Sequence, residues 1–406
     1  MAREPAVTKP RFLSVDFFCG AGGTTRGLID AKGYVIAGID NDVRCRDTFT
    51  KNNFNACGDY SQVRFLEYDI FPKSEENPQG QQSELFAELD KLIQFYRRKF
   101  PKIPLLFAIC APCQPFTTVS KKALSDRKIK QRQRDKNLLA EALKFVKKFG
   151  PEYVLSENVA GIQSSRYGGV WGEFQRGLNK LKYLTGTKVV CTSQFGIPQY
   201  RKRSILLAAK LGCPHPPFAK GSFWPELDVP DSDIAAEQMT VESAIGHYPA
   251  IEAGEHHPSI HNHRTRSLSE LNIQRISVAK PGESNKYMET SPLGDLSLSC
   301  HKKVNEKLGV RCFNDVYTRM TPDQPSPTIT TKCHSISNGR FGHYDIKQNR
   351  GISLREAATL QSFPDDYVFY PEQMIEPIAR MIGNAVPPKL ATFFASYLVD
   401  RETQQS

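Results

Sequence analysis

Short apolar runs rich in Leu, Val, Ile and Phe recur through the first half of the chain and alternate with stretches whose apolar positions return every three or four residues. The runs predict strands at 11–18 (RFLSVDFF), 34–40 (YVIAGID), 63–70 (VRFLEYDI), 105–110 (LLFAIC), 153–159 (YVLSENV), 187–195 (TKVVCTSQF) and 204–211 (SILLAAKL). The periodic stretches predict helices near 82–99, 137–149 and 171–183. Such alternation implies an α/β fold with a mostly parallel sheet and right-handed crossovers. Only QFGIPQYRKR joins the last two strands, so one of them is expected to run antiparallel. From about 213 to 350 the pattern changes to prolines, histidines and polar residues, which predicts a second, smaller domain.

Open α/β sheets bind ligands at the carboxyl ends of their strands, and several of these ends carry residues suited to chemistry. The first strand runs into CGAGGTTRGL, where Gly20, Gly22 and Gly23 permit a sharp turn and the following helix offers free N–H groups. The second ends in Asp40, placed to take the ribose hydroxyls of a nucleoside, with Asp42 the less favoured neighbour. The third ends in Asp69. Each acid alone has a plainer reading as a helix N-cap; the conjunction with the glycines points to a nucleoside pocket.

The fourth strand stops at Pro112, which presents Cys113 on a loop. A thiolate is a strong nucleophile, and nearby positive charge lowers its pKa. From Lys121 to Lys136 the chain holds eight Lys or Arg against Asp126 and Asp135, which suits a polyanion, a solvated surface loop being the plain alternative. Cys110 and Cys113 form a CxxC, but a second proline and a hydrophilic loop follow where a redox pair would start a helix. Glu157 and Asn158 end the fifth strand on the same sheet edge, where a partly desolvated carboxyl is suited to proton donation; capping or salt bridging is the bland alternative. Gln199, Arg201 and Arg203 alternate along QYRKR and share one face if that segment is extended.

Length and composition narrow the setting. A chain of 406 residues with 39% hydrophobic content has room for two domains and a real core. The formal charge of +11 favours an anionic partner, nucleic acid first. Ten cysteines scattered singly suit a reducing compartment, and with no signal-like or membrane-length apolar run the expected location is cytoplasmic, away from membranes. The cluster His256, His257, His261 and His263 lacks cysteines at finger spacing, so no metal is expected. Charge in the middle region is uneven: 214–255 holds one base and eight acids, whereas 256–311 holds nine bases and five acids. DNA contacts are therefore expected in the second stretch, with Arg264, Arg266 and Arg275 as candidates, and Lys302 and Lys303 beside them.

With DFFCGAGG, PCQPF, ENV, QYRKR, REAATLQSFP (355–364) and GNAVPP (383–388) in this order, the chain closely resembles the DNA cytosine-5 methyltransferases of bacterial modification systems. The resemblance implies a Rossmann-like methyltransferase domain that uses S-adenosyl-L-methionine and releases S-adenosyl-L-homocysteine. It adds a smaller, irregular, β-rich target-recognition domain. The implied boundaries are 1–212 with 370–406 for the catalytic domain, 213–350 for recognition and 351–369 for a hinge. Cys113 would be the nucleophile, Glu157 the group engaging the N3 and amino edge of the base, and Arg201 and Arg203 active-site arginines. Phe17, Gly20, Gly22, Gly23, Asp40, Asp69 and Asn384 would line the cofactor pocket, and Gln114, Ser120, Lys121 and Lys122 would contact nucleic acid. The partner would be double-stranded DNA, its target base flipped out of the stack, with a cognate restriction endonuclease acting separately and the enzyme itself a monomer. Methylation of tRNA, or an inactive DNA-binding protein on the same fold, are the competing expectations.

Overall fold

Six consecutive buried residues, Phe12–Phe17, form β1, an interior strand of a seven-stranded sheet covered on both faces. The computed structural model describes residues 9–112, 134–164, 169–213, 239–309 and 312–399. β2 (Gly33–Asp40) and β4 (Leu105–Ile109) flank β1, and β3 (Arg64–Glu67) lies outside β2, all in parallel. β5 (Tyr153–Val159) continues the parallel run beside β4. β7 (Lys202–Lys210) then pairs antiparallel with both β5 and the edge strand β6 (Tyr183–Cys191), giving the order β3-β2-β1-β4-β5-β7-β6. The antiparallel strand expected from the short QFGIPQYRKR link is thus β7. From β1 the chain moves to one side of the sheet and from β4 to the other, so a topological switch point lies between the carboxyl ends of these two strands.

The helices cover the sheet as their spacing dictates. α1 (Gly23–Asp30) and α2 (Arg46–Asn52) follow β1 and β2. α3 (Gln82–Lys99) buries Leu85, Leu89, Leu92, Ile93 and Tyr96 along one stripe and ends in Arg97, Arg98 and Lys99, which complement its dipole. α4 (Leu138–Phe149) and α5 (Val170–Lys180) complete the set. The core is aromatic-rich: the Phe107 ring lies 5.1 Å from Phe17 and 6.2 Å from Phe149. Removing such a fully buried ring costs about 3–5 kcal/mol. The last expected strand before QYRKR is displaced, since β6 starts at Tyr183 and gives way at Thr192–Phe195 to a 3-10 turn. The apolar VVC forms only the end of this edge strand, whose register is set by nine pairs with β7.

Contacts divide the chain into one unit of Met1–Cys191, Lys202–Ile234 and Val386–Ser406, and a second of Thr192–Arg201 with Ala235–Ala385. The return to the first unit therefore falls at Val386, not at 370, and 351–369 is no separate hinge. The reason is packing: α9 (Leu354–Leu360) and α10 (Ile375–Asn384) rest on each other within the second unit. α11 (Pro388–Val399) packs on α1 in the first, so closely that a Cβ on Gly27 would sit 2.3 Å from Pro388 O.

Among its described residues the second unit carries short helices and isolated β-bridges, so the β-rich expectation does not match it. The helices are α6 (Val241–Ile245), α7 (Glu270–Val278) and α8 (Ser299–Leu308), besides α9 and α10. Carbonyls that a ladder would satisfy need other donors. Arg319, fully buried, provides them: it donates to the carbonyls of Ile276, Ala279, His343, Asp345 and Gln348 and to Asn349 Oδ1 at 2.8–3.2 Å. Burial draws its pKa down to about 10. Among the described residues no helix is long and apolar enough to cross a membrane.

Candidate active site

After Phe17 the chain turns through Phe18 (φ +62°), Gly20 (φ +50°) and Gly22 (φ +93°) into α1. A Cβ on Gly20 would meet nothing within 4 Å, so this glycine answers to its backbone angle and leaves open space at the turn. The first turn of α1, opening at Gly23, carries no acid, which keeps its N–H groups suited to an anionic group. Asp40 closes the turn: Oδ2 accepts from Gly20 N–H (2.9 Å) and Oδ1 from Asp42 N–H (2.8 Å). Each oxygen keeps a second lone pair for a hydroxyl. Burial pushes the Asp40 pKa up. Asp42 is committed elsewhere, to Arg44 Nε and Nη2, both at 2.6 Å.

Phe17 requires a correction. It is fully buried in the core, 5.3 Å from the Phe145 ring, because it lies on the face of β1 that α4 covers. Phe18, the next residue, is only partly buried and leaves the strand with a left-handed φ, which makes it the aromatic available at the turn. A second residue escaped the sequence reading. Asp16 is fully buried, its Oδ2 accepting from Thr25 Oγ1 at 2.7 Å, and burial with the nearby Asp40 charge pushes its pKa up to about 7. The signal was an acid inside an otherwise apolar strand.

This raised pKa has a defined sign. The native state holds the Asp16 proton where the unfolded chain has lost it, so folding is favoured below pH 3.8 and penalised progressively as pH rises to about 7. Asp16→Asn removes the ionisation, and its melting temperature relative to the wild type is expected to rise from pH 5 to about pH 7 and to level off above it. A difference independent of pH, measured by calorimetry, contradicts the assignment.

At the ends of β4 and β5 side chains continue the ladder. Ser156 Oγ donates to Ile109 O, and Asn158 Nδ2 donates to Ala111 O at 3.0 Å, two residues before Cys113. Cys113 itself, with Gln114, Ser120, Lys121 and Lys122, lies outside the described residues. Cys110 is distinguished from it: burial and then the Glu157 charge push its thiol well up, which makes it a poor redox partner. Glu157 stands between Ser156 and Asn158, buried, with Arg203 Nε 2.7 Å from its Oε1. Thus the glycine turn, the chain leading to Cys113 and the Glu157–Arg203 pair occupy adjacent strand ends beside the switch point.

QYRKR alternates as expected, with Gln199, Arg201 and Arg203 buried and Tyr200 and Lys202 exposed. The two arginines nevertheless do different work. Arg201 donates from Nη1 to Ile329 O (2.8 Å) and from Nη2 to Gly383 O (2.9 Å), which makes it a tie within the second unit. Gln199 joins the same network through Leu360 O and Gln361. Gly383 is glycine because a Cβ would lie 2.3 Å from the main chain of Thr330 and Thr331. Asn384, the final residue of α10, is exposed, its backbone placed by this tie.

Of the expected DNA contacts, Arg264 is half-buried and Arg266 is exposed, 3.6 Å from Glu376. Arg275 is a packing residue: it is buried, donates to Leu296 O and Asn272 Oδ1 and lies over Tyr317. It does not belong with surface contacts. Lys302 pairs with Asp295. The histidines are held separately, His263 by Ser353 and Pro249 and His261 by Glu372. Among the described residues no group of three or more His, Cys, Asp or Glu is placed to hold a metal ion.

Residues 83–399 match the family model of C-5 cytosine-specific DNA methylases. The Type II methylase M.HgiDII of Herpetosiphon aurantiacus is 33% identical over 385 residues, covering 94% of this chain and 93% of that protein. The Type II methyltransferase M1.HphI of Haemophilus parahaemolyticus is 27% identical, covering 96% and 87%. In fold, the chain is similar to a DNA modification methyltransferase encoded within an E. coli prophage, with a TM-score of 0.64 at 20% identity over 95% of this chain and 98% of that one. By its sheet, its motifs and these matches, the chain belongs to the C-5 cytosine-specific DNA methylase family and is a DNA (cytosine-5)-methyltransferase.

Proposed function

We propose that the protein transfers a methyl group from S-adenosyl-L-methionine to carbon 5 of a flipped-out cytosine in duplex DNA, through a transient bond to Cys113. The observation that carries this reading is the placement of the glycine turn, the strand leading to Cys113 and the Glu157–Arg203 pair on adjacent strand ends. The turn suits the donor: Gly20 leaves open space, the start of α1 suits a carboxylate and Asp40 retains acceptors for ribose hydroxyls. When bound, that donor supplies an electrophilic methyl group. Carbon 5 of cytosine is a weak nucleophile, so Cys113 first adds as thiolate to carbon 6 and turns the ring into an enamine. Glu157 engages N3 and the amino edge, where charge builds, and Arg203 holds the Glu157 carboxylate in place. Once carbon 5 carries the methyl group it loses its proton, and the thiolate leaves. Phe18 completes the donor site at the turn, and the basic residues after Cys113 meet the phosphates.

The relatives' designation as Type II enzymes supports a protective role, the methyl mark shielding host DNA from a cognate restriction endonuclease. Bisulfite sequencing of DNA from cells expressing the protein tests activity and target together. Protected cytosines within one short recurring sequence are expected, and uniform conversion contradicts the proposal.

A further inference from the structure

Asp69 follows β3 and is nine-tenths buried, its carboxylate restrained from both sides. Oδ1 accepts from Phe71 N–H at 3.1 Å, and Oδ2 is ion-paired with Nη2 of Arg134, 65 residues further along the chain. Arg134 is itself fixed: Nε donates to Asn77 Oδ1 at 2.7 Å and the guanidinium lies over the Phe71 ring, 4.4 Å from its centroid. The main chain of Asp69 is closed in turn by Gln81, whose N–H donates to Asp69 O at 3.0 Å and whose Oε1 accepts from Asp69 N–H at 3.3 Å. Exposed ion pairs contribute little to stability and are rarely braced in this way. Here a hydrogen bond, a cation–π contact and an ion pair converge on the rotation of one carboxylate.

A carboxylate offers about four acceptor positions, and Phe71 and Arg134 occupy two of them. The remaining lone pairs can only accept. The Arg134 charge compensates the buried anion, so a neutral N–H donor can dock without leaving a net buried charge. A purine with an exocyclic amino group supplies that donor. A purine with a 6-oxo group presents an acceptor to an acceptor and is rejected.

We propose that Arg134 is a positioning residue that sets the Asp69 carboxylate to accept from the exocyclic amino group of adenine, so that the pair selects an adenosyl over an inosyl cofactor. This rests on the reading of Asp69 as part of the cofactor pocket. Calorimetric titration with S-adenosyl-L-homocysteine and S-inosyl-L-homocysteine, without DNA, tests both layers. The wild type is expected to prefer the adenosyl ligand by on the order of a hundredfold. Arg134→Gln is expected to lose about tenfold in adenosyl affinity with little change for the inosyl ligand, and Arg134→Lys to recover part of that loss. Asn77→Ala, which keeps every charge, should shift selectivity in the same direction, and circular dichroism without ligand checks that each variant is folded. Wild-type selectivity in Arg134→Gln and Asn77→Ala, together with its loss in Asp69→Asn, overturns the role of Arg134 and leaves Asp69 in the pocket. Undiminished selectivity in Asp69→Asn overturns both.

Discussion

Replacing Cys113 with serine is expected to abolish methyl transfer, lowering turnover on the order of ten-thousandfold, because a hydroxyl is not ionised where a thiol can be and adds poorly to carbon 6. Binding of S-adenosyl-L-homocysteine should be nearly unchanged. The glycine turn and Asp40 lie at the ends of β1 and β2, and Asn158 still holds the Ala111 carbonyl whatever side chain stands at 113. Transfer of a labelled methyl group, with donor binding measured in parallel, separates the two effects. Turnover above about one hundredth of the wild type would move the nucleophile elsewhere.

Glu356→Gln is expected to destabilise the second unit by about 3–5 kcal/mol, the range for breaking one side of a buried ion pair. Glu356 is fully buried, and Arg350 meets it through Nη1 at 2.8 Å and Nη2 at 2.7 Å. The carboxylate also accepts from Ser353 N–H at 2.7 Å, closing the capping box that opens α9. Burial works to raise its pKa, yet Arg350 and His343 hold it well below the usual carboxylate range. A depressed native pKa contributes stability that is present above the unfolded value near 4.5 and lost as pH falls below it. Urea unfolding followed by circular dichroism should show the loss at pH 7 and a shrinking difference below pH 4. The double variant Arg350→Met with Glu356→Leu should recover much of the stability, since it leaves no buried charge unpaired. Equal stability of Glu356→Gln and wild type at pH 7 contradicts this role.

The sheet was legible in the sequence because central parallel strands are buried on both faces and read as continuous apolar runs, as in YVIAGID and YVLSENV. β6 was misplaced because an edge strand lacks that signature, and its register comes from β7. The positions of Glu157 and Asp40 were legible because each acid closes an apolar run that forms a strand, although a cap or a salt bridge is the plainer reading of either one alone. Phe17 and Phe18 were not separable, since identical neighbours differ only in the backbone angle that ends the strand. Arg275 and Arg201 show a further limit: in a unit poor in ladders, arginines serve as donors to carbonyls, and charge alone does not distinguish such a residue from one that meets phosphate. The Arg134–Asp69 pair joins positions 65 residues apart and has no local signal.

The proposed covalent bond between Cys113 and the target ring is the step on which this mechanism turns, and it can be trapped. Duplex DNA carrying 5-fluorocytosine at the methylated position cannot release fluorine as the proton is released, so the adduct cannot resolve after methyl transfer. With S-adenosyl-L-methionine present, a complex stable to denaturing electrophoresis is expected, with mass spectrometry locating the DNA on the peptide that holds Cys113. No stable complex, or one attached at another residue, contradicts it.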